Sequence, residues 1–170
     1  MNGKIFAAII VLVAAVAGGL LYYMQVYYYY FPLPEESQVM LVARDSGERE
    51  AVPVTGFQGI DATSSPLRYR ACFTVGEAPQ VLADRFETLE RHDPRISPGW
   101  FDCFDAAEID ALVTEGRAQT FLGGKNVAYG VDRIVVIAED GRGFAWNDLN
   151  HCGDKAYDGT VVGEECPPHD

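Results

Sequence analysis

Cys72, Cys103, Cys152 and Cys166, with His151 and His169 beside the last two, are the side chains of this sequence best suited to chemistry. Thiolates and imidazoles gathered in one loop suggest zinc or copper. Structural zinc sites, however, draw on closely spaced cysteine pairs of the C-x-x-C type, and the sequence has none. The same absence removes a thioredoxin-like redox pair and a haem attached through C-x-x-C-H. An even set of cysteines outside the cytoplasm reads instead as disulfides. Four cysteines allow three pairings, and the sequence does not choose among them. The favoured set is Cys72–Cys103 with Cys152–Cys166, because the second pair closes "GDKAYDGTVVGEE", a run of turn residues with little apolar content to hold it. Closing a loop near that length removes about 3 kcal/mol of unfolded-chain entropy in the simplest treatment.

Other candidates fall on spacing. Gly123-Gly124-Lys125 resembles the end of a phosphate loop, but Gln119 stands where the Walker pattern needs its first glycine, and Asn126 follows the lysine in place of Ser or Thr. The triplet reads as a hairpin turn. Asp154, Asp158, Glu164 and Glu165 lack the calcium-loop spacing and are ordinary turn acids. No G-x-S-x-G elbow is present. The expectation is therefore a non-enzyme with no catalytic set, no cofactor and no metal.

What positions these residues begins with "IFAAIIVLVAAVAGGLLYYM", Ile5 to Met24, which carries no charge. About 20 apolar residues rising 1.5 Å each cover the hydrocarbon core of a bilayer. Tyr22, Tyr23 and Tyr27 to Tyr30 follow, and tyrosine, apolar in its ring and polar at its tip, settles where lipid meets water. Pro32 and Pro34 then stop the helix. Lys4 precedes the run and Glu35 and Glu36 follow it, so the positive-inside rule puts the N-terminus in the cytoplasm and residues 35–170 outside it. A signal peptide cut after "AVA" at Ala15 to Ala17 is the rival. It would leave "GGLLYYMQVYYYYF" as an exposed apolar tail, so the uncleaved anchor is preferred.

The remaining chain holds all 25 acidic residues and 12 of the 13 basic ones, a formal charge of −13. Such a charge repels nucleic acid and anionic lipid, and suits solubility or a basic partner. Its pattern is strands, then two helices, then strands. "SQVMLVAR", "AVPVTGFQGI" and the alternating "SSPLRYRACFTV" come first, with Leu67, Tyr69, Ala71, Phe73 and Val75 sharing one face. A helix is expected from Pro79 to Arg91, with Leu82, Phe86 and Leu89 buried and Asp93-Pro94 closing it. A second starts at a capping box of Asp105 and Glu108, buries Ile109, Leu112 and Val113, and stops at Gly116. "RAQTFL", "NVAYGV", "RIVVIAE" and "GFAWNDL" read as four more strands. The expected class is α+β. An N-terminal transmembrane helix (1–31) and a linker (32–37) precede one disulfide-bonded domain (38–170) with a mainly antiparallel sheet and two helices.

Ala8, Ala15 and Gly19 fall on one face of the apolar helix, the small-residue pattern that lets a second helix approach closely. In the domain, Arg68, Arg70, Tyr69 and Trp146 form the expected binding surface, if one exists. "SSPLRYRACF", "GWFDCFDAAEI", "YGVDRIVVIAEDGRGFAWNDLNHCGDKAYDG" and "GEECPP" together resemble a family of short single-pass bacterial envelope proteins of unknown function, over nearly the whole chain. The resemblance implies no activity, and it singles out the four cysteines. A "histidine kinase" label carried by such proteins finds no support, since no nucleotide-binding motif occurs. The functional expectation is an accessory or assembly subunit of an inner-membrane complex, such as a respiratory one, whose acidic domain meets a basic periplasmic protein such as a cytochrome c. The alternative is an anchored periplasmic ligand-binding or sensor domain.

Overall fold

A computed structural model describes residues 3–90 and 92–163. Helix α1, Gly3–Tyr23, widens into a π-helical turn over Met24–Tyr28. The whole segment is long and apolar enough to cross a membrane, and none of its candidate window is buried against the rest of the chain. At about 1.5 Å per residue it extends roughly 39 Å.

Tyr30–Pro32 form a short strand, β1, that pairs antiparallel with the end of β4 (Val54–Ala62), Tyr30 opposite Ala62. Between them, β2 (Val39–Val42) and β3 (Arg49–Val52) make a separate two-stranded hairpin. A 3₁₀ turn at Pro66–Arg68, capped by Ser65, leads into β5 (Arg70–Val75). Helices α2 (Pro79–Arg85) and α3 (Ala106–Thr114) follow, then β6 (Ala118–Ala128), β7 (Val131–Ala138) and β8 (Arg142–Leu149). The six-stranded antiparallel sheet has the order β1-β4-β5-β8-β7-β6.

Both faces of this sheet are covered. On one side the β2–β3 hairpin and α2 bury Tyr69, Ala71, Phe73, Val75, Phe121, Val135 and Ile137. On the other, α3 and Phe104 cover Cys72, Ile134, Val136, Phe144 and Trp146. Successive residues of a strand point to opposite faces, so a strand buried on both reads as a continuous apolar run, as "RIVVIA" does.

Two expectations need correction. The helix at Pro79 stops at Arg85: Phe86 is extended, and the segment after it runs beside the sheet. Glu87 N–H donates to Val42 O (2.8 Å), Leu89 N–H to Thr120 O (3.0 Å), and Leu122 N–H to Glu87 O (3.0 Å). These bonds tie the hairpin to β6, which another helical turn could not do. Gly123-Gly124-Lys125 is not a hairpin turn either, but lies inside β6, where the register shifts at Gly124. Glycine is needed there for close approach, since a Cβ on Gly123 would lie 2.8 Å from Val135 Cγ2. The turn itself is at Tyr129-Gly130, with Gly130 at φ +71°.

Candidate functional site

The residues with the most specific polar geometry gather where the apolar helix meets the domain. Trp100, in the loop before α3, donates its indole N–H to Val26 O at 2.7 Å and stacks on Tyr27, with ring centroids 6.3 Å apart. Tyr30 meets the same indole edge-on at 5.7 Å. Arg68, in the 3₁₀ turn, donates to Gln25 O at 3.1 Å and to the Gln25 side chain, and lies over the Tyr30 ring. The last carbonyls of a helix have no partner further along it, and Trp100 and Arg68 take two of them, those of Val26 and Gln25. Because β1 is hydrogen-bonded into the sheet two residues further on, the helix end is held from three sides.

The tyrosine run therefore has a second role besides its suitability for an interface. Tyr22, Tyr23, Tyr27 and Tyr28 are all exposed, and of these Tyr27, together with the half-buried Tyr30, also packs on Trp100. The sequence signal for this seat was weak: Trp100 is one of two tryptophans and stands in a proline- and glycine-bounded loop, remote in sequence from its partners.

Of the expected binding-surface residues, only Arg68 faces outward. Trp146, Tyr69 and Arg70 are buried, on opposite faces of the sheet, and form no common open surface. The Arg70 guanidinium donates to four backbone carbonyls, Leu67 (2.8 Å), Tyr69 (2.6 Å), Arg95 (3.1 Å) and Ile96 (3.0 Å). Burial brings its pKa down to about 10, still far above neutrality. Arg95 in turn pairs with the nearly buried Asp148. On the other face, Arg133 stacks over Tyr69 and donates to Asn147 Oδ1 at 3.0 Å, and Asn147 donates to Pro66 O at 2.7 Å. These buried charges hold loops to the sheet.

Asp61 lies near these arginines, and burial raises its carboxyl pKa above the ordinary 3.8, against the pull of the Ala62 N–H, Arg133 and Arg70. A raised carboxylate pKa means the folded chain binds the proton more tightly, so ionisation of Asp61 opposes folding. The penalty is present above the folded pKa and gone below the unfolded one. Asp61→Asn, which keeps an oxygen for the Ala62 N–H, should raise the urea midpoint at neutral pH, with the gain vanishing as pH falls below the ordinary carboxylate range. A gain independent of pH would refute the assignment.

Cys72 and Cys103 are joined as expected, 31 residues apart in sequence, tying β5 to the loop before α3. Cys152 is also disulfide-bonded, while Cys166, Glu164, Glu165 and His169 lie outside the described residues. Asp105 caps α3, accepting from Ala107 N–H (2.9 Å) and Glu108 N–H (3.2 Å), and Glu108 pairs with Arg142 (2.6 Å). Ala8, Ala15 and Gly19 are exposed along α1, and a Cβ on Gly19 would meet nothing within 4 Å. Among the described residues, no three His, Cys, Asp or Glu side chains come together as a metal-binding group.

A groove of about 670 Å³ runs between the β2–β3 hairpin and β6, lined by Met40, Val42, Arg49, Glu87, Leu122 and Lys125 among others. Its size is that of small-ligand sites, but both charge signs line it and no nucleophile–base pair stands there. Of these residues sequence reasoning considered only Lys125, in the rejected phosphate-loop triplet; the packing of β2, β6 and the segment after α2 brings them together.

No curated protein and no solved structure matches the chain. Residues 39–167, the part of the chain after the apolar helix, match a protein family, and by that match the chain belongs to the family of unknown function DUF6446.

Proposed function

We propose that this protein is a non-enzymatic accessory or assembly subunit of an inner-membrane complex, with α1 in the bilayer and its acidic domain on the periplasmic face. The observation that carries this reading is the seat of the helix. A passive tether needs only a flexible linker, whereas here Trp100, Arg68 and β1 fix the domain directly on the helix end. A fixed pose matters when a domain must be presented to a neighbour at a set height and angle. The exposed small residues Ala8, Ala15 and Gly19 fit a packed helix, since close backbone approach drives association in lipid. Lys4 before the apolar run and Glu35 and Glu36 after it support the orientation. The net negative charge favours a basic partner such as a cytochrome c over nucleic acid.

The test uses tagged full-length protein extracted in mild detergent. Parent protein should migrate with a large complex, and Ala15→Ile with Gly19→Ile should release it while it stays in the membrane at normal abundance. Ile9 and Val13, on the opposite side, should tolerate bulky changes. Migration of the parent alone would end the subunit reading, and equal co-purification of variant and parent would reduce α1 to a plain anchor.

The groove beside β6 favours a second reading, an anchored ligand-binding or sensor domain. It predicts a small-molecule-dependent rise in thermal stability that Lys125→Ala with Arg49→Ala abolishes.

A further inference from the structure

The sheet topology defines which end of the domain lies nearest α1. Tyr30 follows the helix and pairs with Ala62, so the end of β4 is at that end; Ile60 pairs with Arg70, Arg70 with Trp146, and Leu149 with Val131. The starts of β5 and β7, the end of β8 and the Tyr129-Gly130 turn therefore share the helix-proximal end. So does the loop before α3, which Arg70 grips at Arg95 and Ile96 and which places Trp100 on Val26.

Several exposed apolar side chains lie here. Ile96 is 85% exposed, Leu149 and Tyr129 are about half exposed, and Trp100 lies partly open beside Tyr27. Elsewhere in the domain, Val81 on α2, which begins after β5 has run away from the helix, and Tyr157, Val161 and Val162 in the segment after β8 are exposed as well. A water-exposed isoleucine beside a tryptophan and a tyrosine collar is the composition of an interfacial contact: apolar tips enter the acyl boundary, and aromatic rings sit at headgroup level.

Resting on the reading of α1 as a membrane helix, we propose that the helix-proximal rim of the domain, led by Ile96 and Trp100 and continued by Leu149, is a second membrane-contacting surface that lies in the lipid interface. The rim adjoins the tyrosine collar, because the loop that carries Ile96 also carries Trp100, which stacks on Tyr27, and Tyr27 in turn meets Tyr22 and Tyr23. The contact is apolar and takes an uncharged lipid surface; the negative domain has no use for anionic headgroups. The helix then fixes position and the rim fixes tilt.

The test is fluorescence quenching by brominated acyl chains in full-length protein reconstituted into phosphatidylcholine vesicles. With Trp100 and the buried Trp146 retained as a constant baseline, one tryptophan is added at Ile96 or, as control, at Val81. Ile96→Trp should lose about half of its emission to the bromolipid and shift to the blue, and Val81→Trp should stay at the emission of water-exposed indole. Co-flotation of the protein with vesicles is scored separately. If the protein floats but Ile96→Trp is quenched no more than Val81→Trp, the rim contact is wrong. If the protein fails to float, the membrane reading of α1 falls, and the rim contact with it.

Discussion

Replacing Cys72 and Cys103 together with alanine should lower the unfolding free energy by about 4 kcal/mol, the loop-closure value for a bridge spanning 31 residues. The bridge joins the central strand β5 to the loop that carries Trp100 and leads into α3, so its loss frees a long irregular segment in the unfolded chain. Cys72 is also buried beside Phe144 and Trp146, and alanine leaves part of that space empty. Urea denaturation of parent and variant measures the difference, and reduced parent should unfold at or below the midpoint of the variant. Alkylation of native protein without reductant should label neither Cys72 nor Cys103. An unchanged midpoint in the variant would mean that the packing of Phe104 and α3 holds the segment without the bridge.

The second large effect is at Arg70. Arg70→Met should cost about 2–4 kcal/mol, because methionine fills the space but leaves the carbonyls of Leu67, Tyr69, Arg95 and Ile96 without their donor. Arg70→Lys should recover little. An ammonium is a point donor, and only the planar fork of guanidinium reaches the 3₁₀ turn on one side and the Arg95–Ile96 backbone on the other. The readout that separates this role from general packing is local: amide exchange across residues 93–101 should accelerate more than exchange in β7. Uniform acceleration, or full rescue by lysine, would show Arg70 to be a mere space-filler.

The sequence made α3 legible because its signals are local. Asp105 caps, Ile109 and Leu112 fall on one stripe, and Gly116 ends the helix at φ +72°. The apolar face of β5 was equally readable in Tyr69, Ala71, Phe73 and Val75. Its other face was not, because Arg70 and Cys72 look like surface residues until α3 and the loop before it fold over them. The end of α2 was misjudged for the same reason. Leu89 keeps helical spacing from Leu82 and Phe86, but Glu87 and Leu89 find backbone partners in β2 and β6 that no window of sequence contains. Gly123 and Gly124 read as turn residues because glycine signals both turns and close approach, and only the third dimension separates the two. The seat on α1 was hidden in the same way, since Trp100 is distant in sequence from the Gln25–Tyr30 stretch it holds.

The strand order has a consequence for how the domain comes into being. β5 lies between β4, its predecessor in sequence, and β8, the last strand, with Cys72 opposite Phe144. A chain emerging from its N-terminus can build β1, β4 and β5 early, but the β8-facing edge of β5 has no strand beside it until almost the whole chain has been delivered. Pairings this distant close slowly, and an open strand edge in the meantime is a template for mispairing with other chains. Arg68 and β1, the parts of the seat encoded earliest, place this half-sheet against its own helix end, so the edge left open is the one on the far side of β5, and β8 closes it last.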